Sequence, residues 1–198
     1  MTTNGYKTPS RFSATAMFAR YRKVFYCDGK QPHYILFTRI GRGTKRFLVN
    51  NVQWGLMDSY SDFDCGDIIT NEDKSEKYFL VAKTNSLQGD KGEFYKTNCK
   101  VNIVRLQDEY DSAYNPIGKS EVIVHADLEC VYEDVSAYMH VFDFGLLPDT
   151  TRRFIVPADT NIKPLDRIIL NGDRMQVNNI NHSEFTPFLY VQCKDDTR

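Results

Sequence analysis

Apolar positions along the chain fall in short runs bounded by turn residues, with no long helical periodicity. Residues 34–40, Tyr-Ile-Leu-Phe-Thr-Arg-Ile, and 46–52, Arg-Phe-Leu-Val-Asn-Asn-Val, are rich in β-branched and aromatic side chains and flank Gly41-Arg-Gly43, which predicts a hairpin. Short strands are predicted over 67–70, 78–83 and 97–106, with turns at Asn71-Glu-Asp-Lys-Ser and Gln88-Gly-Asp-Lys-Gly92. From Glu121 to Tyr132, one face holds Val122, Val124, Ala126, Leu128, Cys130 and Tyr132, and the other holds His125, Asp127 and Glu129. That alternation is the mark of a half-buried strand. Arg167–Leu170 and Arg174–Val177 enclose Asn171-Gly-Asp173, and an Asn-Gly pair between apolar runs is a strong local hairpin signal. Only residues 10–23 and 133–141 have helical character, so the fold class expected is mainly β, with small barrels and few short helices.

The strand pattern also repeats. Thr44-Lys-Arg-Phe-Leu-Val49 is echoed by Thr151-Arg-Arg-Phe-Ile-Val156, Gly66-Asp-Ile-Ile69 by Leu165-Asp-Arg-Ile-Ile169, and Tyr78-Phe-Leu-Val81 by Arg174-Met-Gln-Val177. The three blocks keep their order, and the second copy is shorter by a length that a surface loop absorbs at small entropic cost. Two related β units are the expectation. The segments read as a basic arm over 1–33, a first β unit over 34–106, an acidic connecting segment with a long strand over 107–140, and a second β unit over 141–198.

Composition narrows the class. The 198 residues, 41% hydrophobic and 26% charged, are those of an ordinary globular chain. No apolar run approaches the ~18 residues of a membrane span, and the first residues lack the apolar core of a secretory signal, so no membrane partner is expected. The five cysteines, Cys27, Cys65, Cys99, Cys130 and Cys193, have no zinc-like spacing and read as free thiols in a reducing cell. Cys99, Cys130 and Cys193 fall in strand-like runs as small buried hydrophobes.

Charge is uneven. Residues 1–50 carry 10 Lys/Arg against Asp28 alone, for +9, whereas residues 101–150 carry 2 bases and 10 acids, for −8. Such a chain can dock on copies of itself with little whole-molecule attraction to DNA, and its segments can equally neutralise each other within one monomer. The basic block interleaves rings and cations: Phe12, Phe18, Arg20, Tyr21, Arg22, Lys23, Phe25 and Tyr26. This pattern serves an arm pinned to a neighbouring subunit, a plain fold element, or a surface that stacks bases.

Catalytic motifs are weak. Gly41-Arg-Gly-Thr-Lys45 lacks phosphate-loop spacing, and His33, His125, His140 and His182 are dispersed. Asp58, Asp62, Asp64 and Asp67 have the density of an oxygen-ligand cation site but read better as a solvated loop entering a strand. No cofactor, metal or catalytic residue is assigned, and an enzyme is not the expectation.

Leu165 to Asn178, followed by Leu189-Tyr-Val-Gln192, resembles the small β-barrel stopper and head-completion (neck, head-to-tail connector) proteins of tailed bacteriophages. Gly66-Asp-Ile-Ile69 with Tyr78-Phe-Leu-Val81 resembles the same phrase. The second copy departs from it in having Leu165 at the glycine position, and the acidic stretch 107–134 has no counterpart in the pattern. The resemblance implies a structural virion protein that forms a ring of its own copies between the portal vertex and the tail, assembled in the host cytoplasm. Its implied neighbours are portal or adaptor proteins and tail terminator or tail tube proteins. Packaged double-stranded DNA would pass without sequence-specific binding and be retained. The alternatives are a β-barrel nucleic-acid-binding protein and another tail or baseplate barrel. In the ring reading, Phe18, Arg20, Arg22, Lys23, Phe25 and Tyr26 meet Glu129, Glu133 and Asp134 of a neighbour, with charges selecting orientation and rings supplying affinity.

Overall fold

A computed structural model describes residues 18–38, 51–58, 60–85, 89–142, 145–182 and 187–196. The chain divides into two compact units, residues 1–96 and 97–198. Each is a closed antiparallel barrel of six strands. The first contains β1 (Lys23–Cys27), β2 (His33–Thr38), β3 (Val52–Met57), β4 (Ile68–Asn71), β5 (Lys77–Thr84) and β6 (Asp90–Lys96), closed in the order β1-β2-β3-β6-β5-β4. The second contains β7 (Cys99–Tyr110), β8 (Pro116–Asp134), β9 (Arg152–Pro157), β10 (Arg167–Leu170), β11 (Asp173–Asn181) and β12 (Phe188–Asp195). Its order, β7-β8-β9-β12-β11-β10, is the same path around the barrel. Among the described residues helix is confined to one turn over residues 18–21, α1 (Ala137–Phe142) and a 3-10 turn at Ala158–Thr160.

Closure follows from the strand composition. Alternate residues of short strands must all find one interior, and wrapping six strands into a barrel leaves no edge to pair with another chain. The first interior is largely aromatic, with Phe25, Phe63, Phe94 and Tyr78 packed around Ile35, Met57, Ile69 and Leu80. Ring pairs such as Phe25 with Phe37 and Phe37 with Phe94 meet edge to face at 5.3 Å. The second interior is aliphatic and thiol-rich, with Val101, Ile103, Cys130, Phe154, Ile168, Met175, Val177 and Cys193 among its members.

The equivalence reaches hydrogen bonds. Gly66 N–H donates to Leu80 O (2.9 Å) and Leu80 N–H to Asp67 O (3.0 Å); Leu165 N–H donates to Val177 O (2.9 Å) and Val177 N–H to Asp166 O (2.8 Å). A register shift follows Leu80 in β5 and the corresponding Val177 in β11. Gly66 (φ 104°) and Leu165 (φ 73°) share the left-handed conformation.

Several expectations need correction. Gly66 and Asp67 correspond to Leu165 and Asp166, but the ladders set Ile68 against Arg167 and Ile69 against Ile168, so the two Ile-Ile pairs are one residue out of step, and the bonds above match Leu80, not Val81, to Val177. Thr44–Val49, the Gly41-Arg-Gly43 turn and the strand residues 46–50 lie outside the described residues. The strand pairing with β2 is Val52–Met57, and position 154 of β9 corresponds through the ladder to Gly55, not Phe47. Gly92 is no turn residue: it lies inside β6 opposite Gly55, where a Cβ would come within 2.6 Å of the Phe94 ring. Strand glycines there make room for a ring that the barrel needs.

Unit boundaries also move. Residues 23–27 are a barrel strand, so 1–33 is not an arm throughout, and the first unit ends at Lys96 instead of 106. The segment 107–140 contains the expected long strand, β8, but residues 107–134 are no connector. They form most of the β7–β8 hairpin of the second barrel. Asn171 (φ 51°) and Gly172 (φ 96°) make the two-residue β10–β11 turn expected of Asn-Gly.

Candidate interaction surfaces

The β7–β8 hairpin is far longer than the barrel needs. β8 runs for 19 residues, and its pairing with β7 continues out to Tyr110 opposite Pro116. Residues 107–110 and 112–119 are all exposed, so this end of the hairpin projects from its barrel. Apolar side chains stand on it in solvent: Tyr110 is 55% exposed, Tyr114 87%, Ile117 64% and Ile123 64%. Three acids and no base lie between 107 and 117, namely Asp108, Glu109 and Asp111.

The tip is built, not loose. Asp111 Oδ1 accepts the N–H groups of Ala113 and Asn115, both at 2.8 Å, and Oδ2 accepts from Asn115 Nδ2 at 3.1 Å. Asp111 N–H in turn donates to Asn115 O (2.9 Å) and Tyr114 N–H to Asp111 O (3.0 Å). These donors, Asn115 foremost, hold the Asp111 carboxyl below its ordinary value. An aspartate that wraps its own turn fixes the backbone of five residues and presents Tyr114, at φ 61°, outward.

The second surface belongs to the first barrel. Arg22 lies over the Tyr34 ring, with its guanidinium carbon 3.8 Å from the centroid, and over Phe18 at 5.8 Å; Arg20 lies 5.4 Å from Tyr21. Arg20, Arg22 and Lys23 are exposed, and Tyr26 is 38% exposed. Beside them a cleft of 560 Å³ is lined by residues including Tyr21, Lys23, Phe37, Gln53, Glu76 and Tyr78. Glu76 accepts from Lys96 and from the Tyr78 hydroxyl, which hold its carboxyl below the usual range.

The proposed interface set is therefore divided. Phe18 and Arg22 meet on one surface with Tyr34, Lys23 lines the cleft on the Phe25 side of β1, and Tyr26 stands on the opposite face of that strand; Phe25 is 1% exposed and part of its own barrel core, so it has no ring to offer a neighbour. Glu129, Glu133 and Asp134 already face cations of their own barrel: Lys100 at 3.2 Å, Arg153 at 2.7 Å and Arg152 at 3.5 Å. Glu121 likewise bridges Arg167 (2.8 Å) and Arg174 (2.6 Å). Much of the acidic block is thus neutralised by residues 151–198, which sequence counting could not pair because partners from different strands meet only through the barrel. The hairpin tip escaped notice because its alternation was read only from Glu121 onward.

Three of the four aspartates of the 58–67 loop, Asp62, Asp64 and Asp67, are also paired. Lys30 reaches Asp67 at 2.6 Å, His33 reaches Asp62 at 2.7 Å, and Lys83 lies 3.7 Å from Asp64. Among the described residues no group of three His, Cys, Asp or Glu side chains is placed to hold a metal ion. Asp67 and its counterpart Asp166 have one structural role. Asp67 accepts the Asp64 N–H (2.7 Å) and Lys30, and Asp166 accepts the Lys163 N–H (2.8 Å) and both Nε and Nη2 of Arg105 (2.7 Å each). Each carboxylate closes the turn into the fourth strand of its barrel.

No protein-family model matches this sequence, and no curated protein matches it. Among solved structures, the solution structure of protein SF1141 from Shigella flexneri 2a is similar at 15% identity and a TM-score of 0.44, over 52% of this chain and 95% of that one.

Proposed function

We propose that this chain is a structural assembly protein of a tailed-phage neck, forming a ring that joins the portal vertex to the tail and helps to retain packaged DNA. The observation that carries the reading is the projecting β7–β8 hairpin, whose ordered tip holds Tyr110, Tyr114 and Ile117 in water. Exposed apolar side chains on a rigid projection cost little to order on binding and gain by burial against a partner. The natural mate is the surface around Arg20, Arg22 and Lys23 on a neighbouring copy, because the projecting end carries three acids against Lys119 alone and that surface is cationic and aromatic-walled. Joining different faces of successive copies is the geometry that closes rings. Opposite charges then fix orientation, and the rings supply most of the affinity. The phage assignment itself rests on the sequence resemblance around Gly66–Val81 and Leu165–Asn178.

A second reading is favoured by one observation. Exposed Tyr21 and Tyr34, beside Arg20 and Arg22, also suit base stacking and phosphate contact. The two readings separate cleanly. The neck reading expects concentration-dependent rings in electron micrographs and light scattering, loss of those rings in Tyr110→Ser/Tyr114→Ser/Ile117→Ser and in Arg20→Glu/Arg22→Glu/Lys23→Glu, and weak DNA affinity. Unimpaired assembly of both triple variants would reject this interface. Tight DNA binding that falls steeply with salt, in a chain that stays monomeric, would replace it with the nucleic-acid reading.

A further inference from the structure

Cys99 opens β7, and Cys130 stands opposite it on β8. Their Sγ atoms are 3.2 Å apart. Directly opposed residues of antiparallel strands hold their Cα atoms about 4.5–5.5 Å apart, inside the roughly 4.4–6.8 Å that a disulfide spans. The sulfurs need to approach by only about 1.2 Å to reach the covalent length near 2.05 Å. The backbone beside them is already clamped: Asn98 Nδ2 donates to Tyr132 O (2.8 Å), Asn98 Oδ1 accepts the Tyr132 N–H (2.7 Å), and Asn98 N–H donates to Cys130 O (3.2 Å).

The two sulfurs differ in access. Cys130 is fully buried, and its contact with Cys99, followed by desolvation, pushes its thiol well above the ordinary range. Cys99 is half-buried at the start of its strand and so is the sulfur that a reagent reaches first. Cys193 shares the interior but is fully buried, and desolvation raises its thiol as well.

We propose that Cys99 and Cys130 are a thiol–disulfide site that a low-molecular-weight disulfide closes into a covalent staple across the base of the projecting hairpin. This goes beyond the assembly reading and does not depend on it. Cys99 gives its proton to solvent and its thiolate attacks one sulfur of the reagent, releasing one reagent thiolate and leaving a mixed disulfide. Cys130 then loses its proton and attacks the Cys99 sulfur, releasing the second reagent thiolate. The two thiolates take up the two protons, so one external disulfide is reduced to two thiols as one protein disulfide forms. The second step is the slow one, because the buried Cys130 ionises with difficulty. The closed loop holds every residue of the projection, and its closure should raise the unfolding temperature of the second barrel by on the order of 10 °C.

The test uses the full chain incubated with oxidised glutathione, alkylated, and digested with trypsin without reduction. The expected product joins peptide 97–100 to peptide 120–152 and weighs two hydrogens less than their sum. It should be absent from Cys99→Ser and present in Cys193→Ser. The rise in unfolding temperature should appear in the parent chain and be reversed by dithiothreitol, a readout that needs no variant. Alkylation of both Cys99 and Cys130 after Cys65 has been fully glutathionylated would overturn the proposal. So would a Cys130–Cys193 link, or a mixed disulfide at Cys99 that never resolves.

Discussion

Replacing Asp166 by Asn tests the view that one buried carboxylate organises the entry to β10. Asp166 is 2% exposed and accepts two charge-assisted bonds from Arg105 together with the Lys163 N–H, while its backbone pairs with Val177. Its carboxylate also holds the Arg105 guanidinium above its ordinary value. Breaking a buried pair costs about 3–5 kcal/mol when the orphaned charge stays buried. Arg105 is 22% exposed and can recover some water, and Asn still accepts the Lys163 N–H, so the expected loss is about 2–4 kcal/mol. For a unit of about 100 residues, that corresponds to a melting shift of roughly 10–25 °C. Asp67→Asn, which removes a single Lys30 contact at a site with 17% and 25% exposure, should cost only about 1–2 kcal/mol. Hydrogen exchange read separately over 18–96 and 97–198 assigns each loss to its barrel, and the single tryptophan, Trp54 in β3, gives a fluorescence check on the first. A double-mutant cycle with Arg105→Met should return a coupling above about 1 kcal/mol. An Asp166→Asn loss under about 1 kcal/mol, or a larger loss at Asp67, would refute the clamp as described.

Three further outcomes follow from particular residues. Gly92→Ala should destabilise the first barrel by about 1–3 kcal/mol, because the new methyl meets the Phe94 ring at 2.6 Å and Leu80 at 2.9 Å, whereas Gly118→Ala on the open hairpin should be near neutral in chemical denaturation. Leu165→Gly should stabilise the second barrel by about 0.5–1 kcal/mol in the same assay, since Leu165 is 64% exposed and held at φ 73°, where a side chain is strained. Lys96 and Tyr78 hold the Glu76 carboxyl low, so its contribution is present above the unfolded value near ~4.3 and lost as pH falls through the lower folded value; acid titration of Glu76→Gln should show a shallower loss across that window.

Local chemistry alone determined a good deal. Asn171-Gly172 demands two left-handed residues in a row, and few structures other than a tight hairpin supply them, so that turn was readable without any partner. The short apolar runs around 67–70, 78–83, 97–106 and 121–132 likewise specify strands, because period-two burial is a property of neighbours in sequence. The recurrence of Asp67 and Asp166 at the entry to a short apolar strand was legible for the same reason, and Leu165 in the glycine place follows from a conformation that both copies share. Closure into barrels, by contrast, was decided in three dimensions, since it depends on which strands meet and not on what any strand prefers. Gly92 illustrates this: beside Gln88-Gly-Asp it looks like a turn, and only the Phe94 ring crossing its face makes it a strand residue. The one-residue bulge after Leu80 and Val177 is set by pairing with the next strand and leaves no mark in the alternation. Charge pairing is non-local as well: Arg105 meets Asp166 across 61 positions and Glu133 meets Arg153 across 20, so block sums could reveal an imbalance but not its partners. Cys99 and Cys130, 31 positions apart, face each other because the β7–β8 register places them opposite, a constraint that exists only once the hairpin has formed.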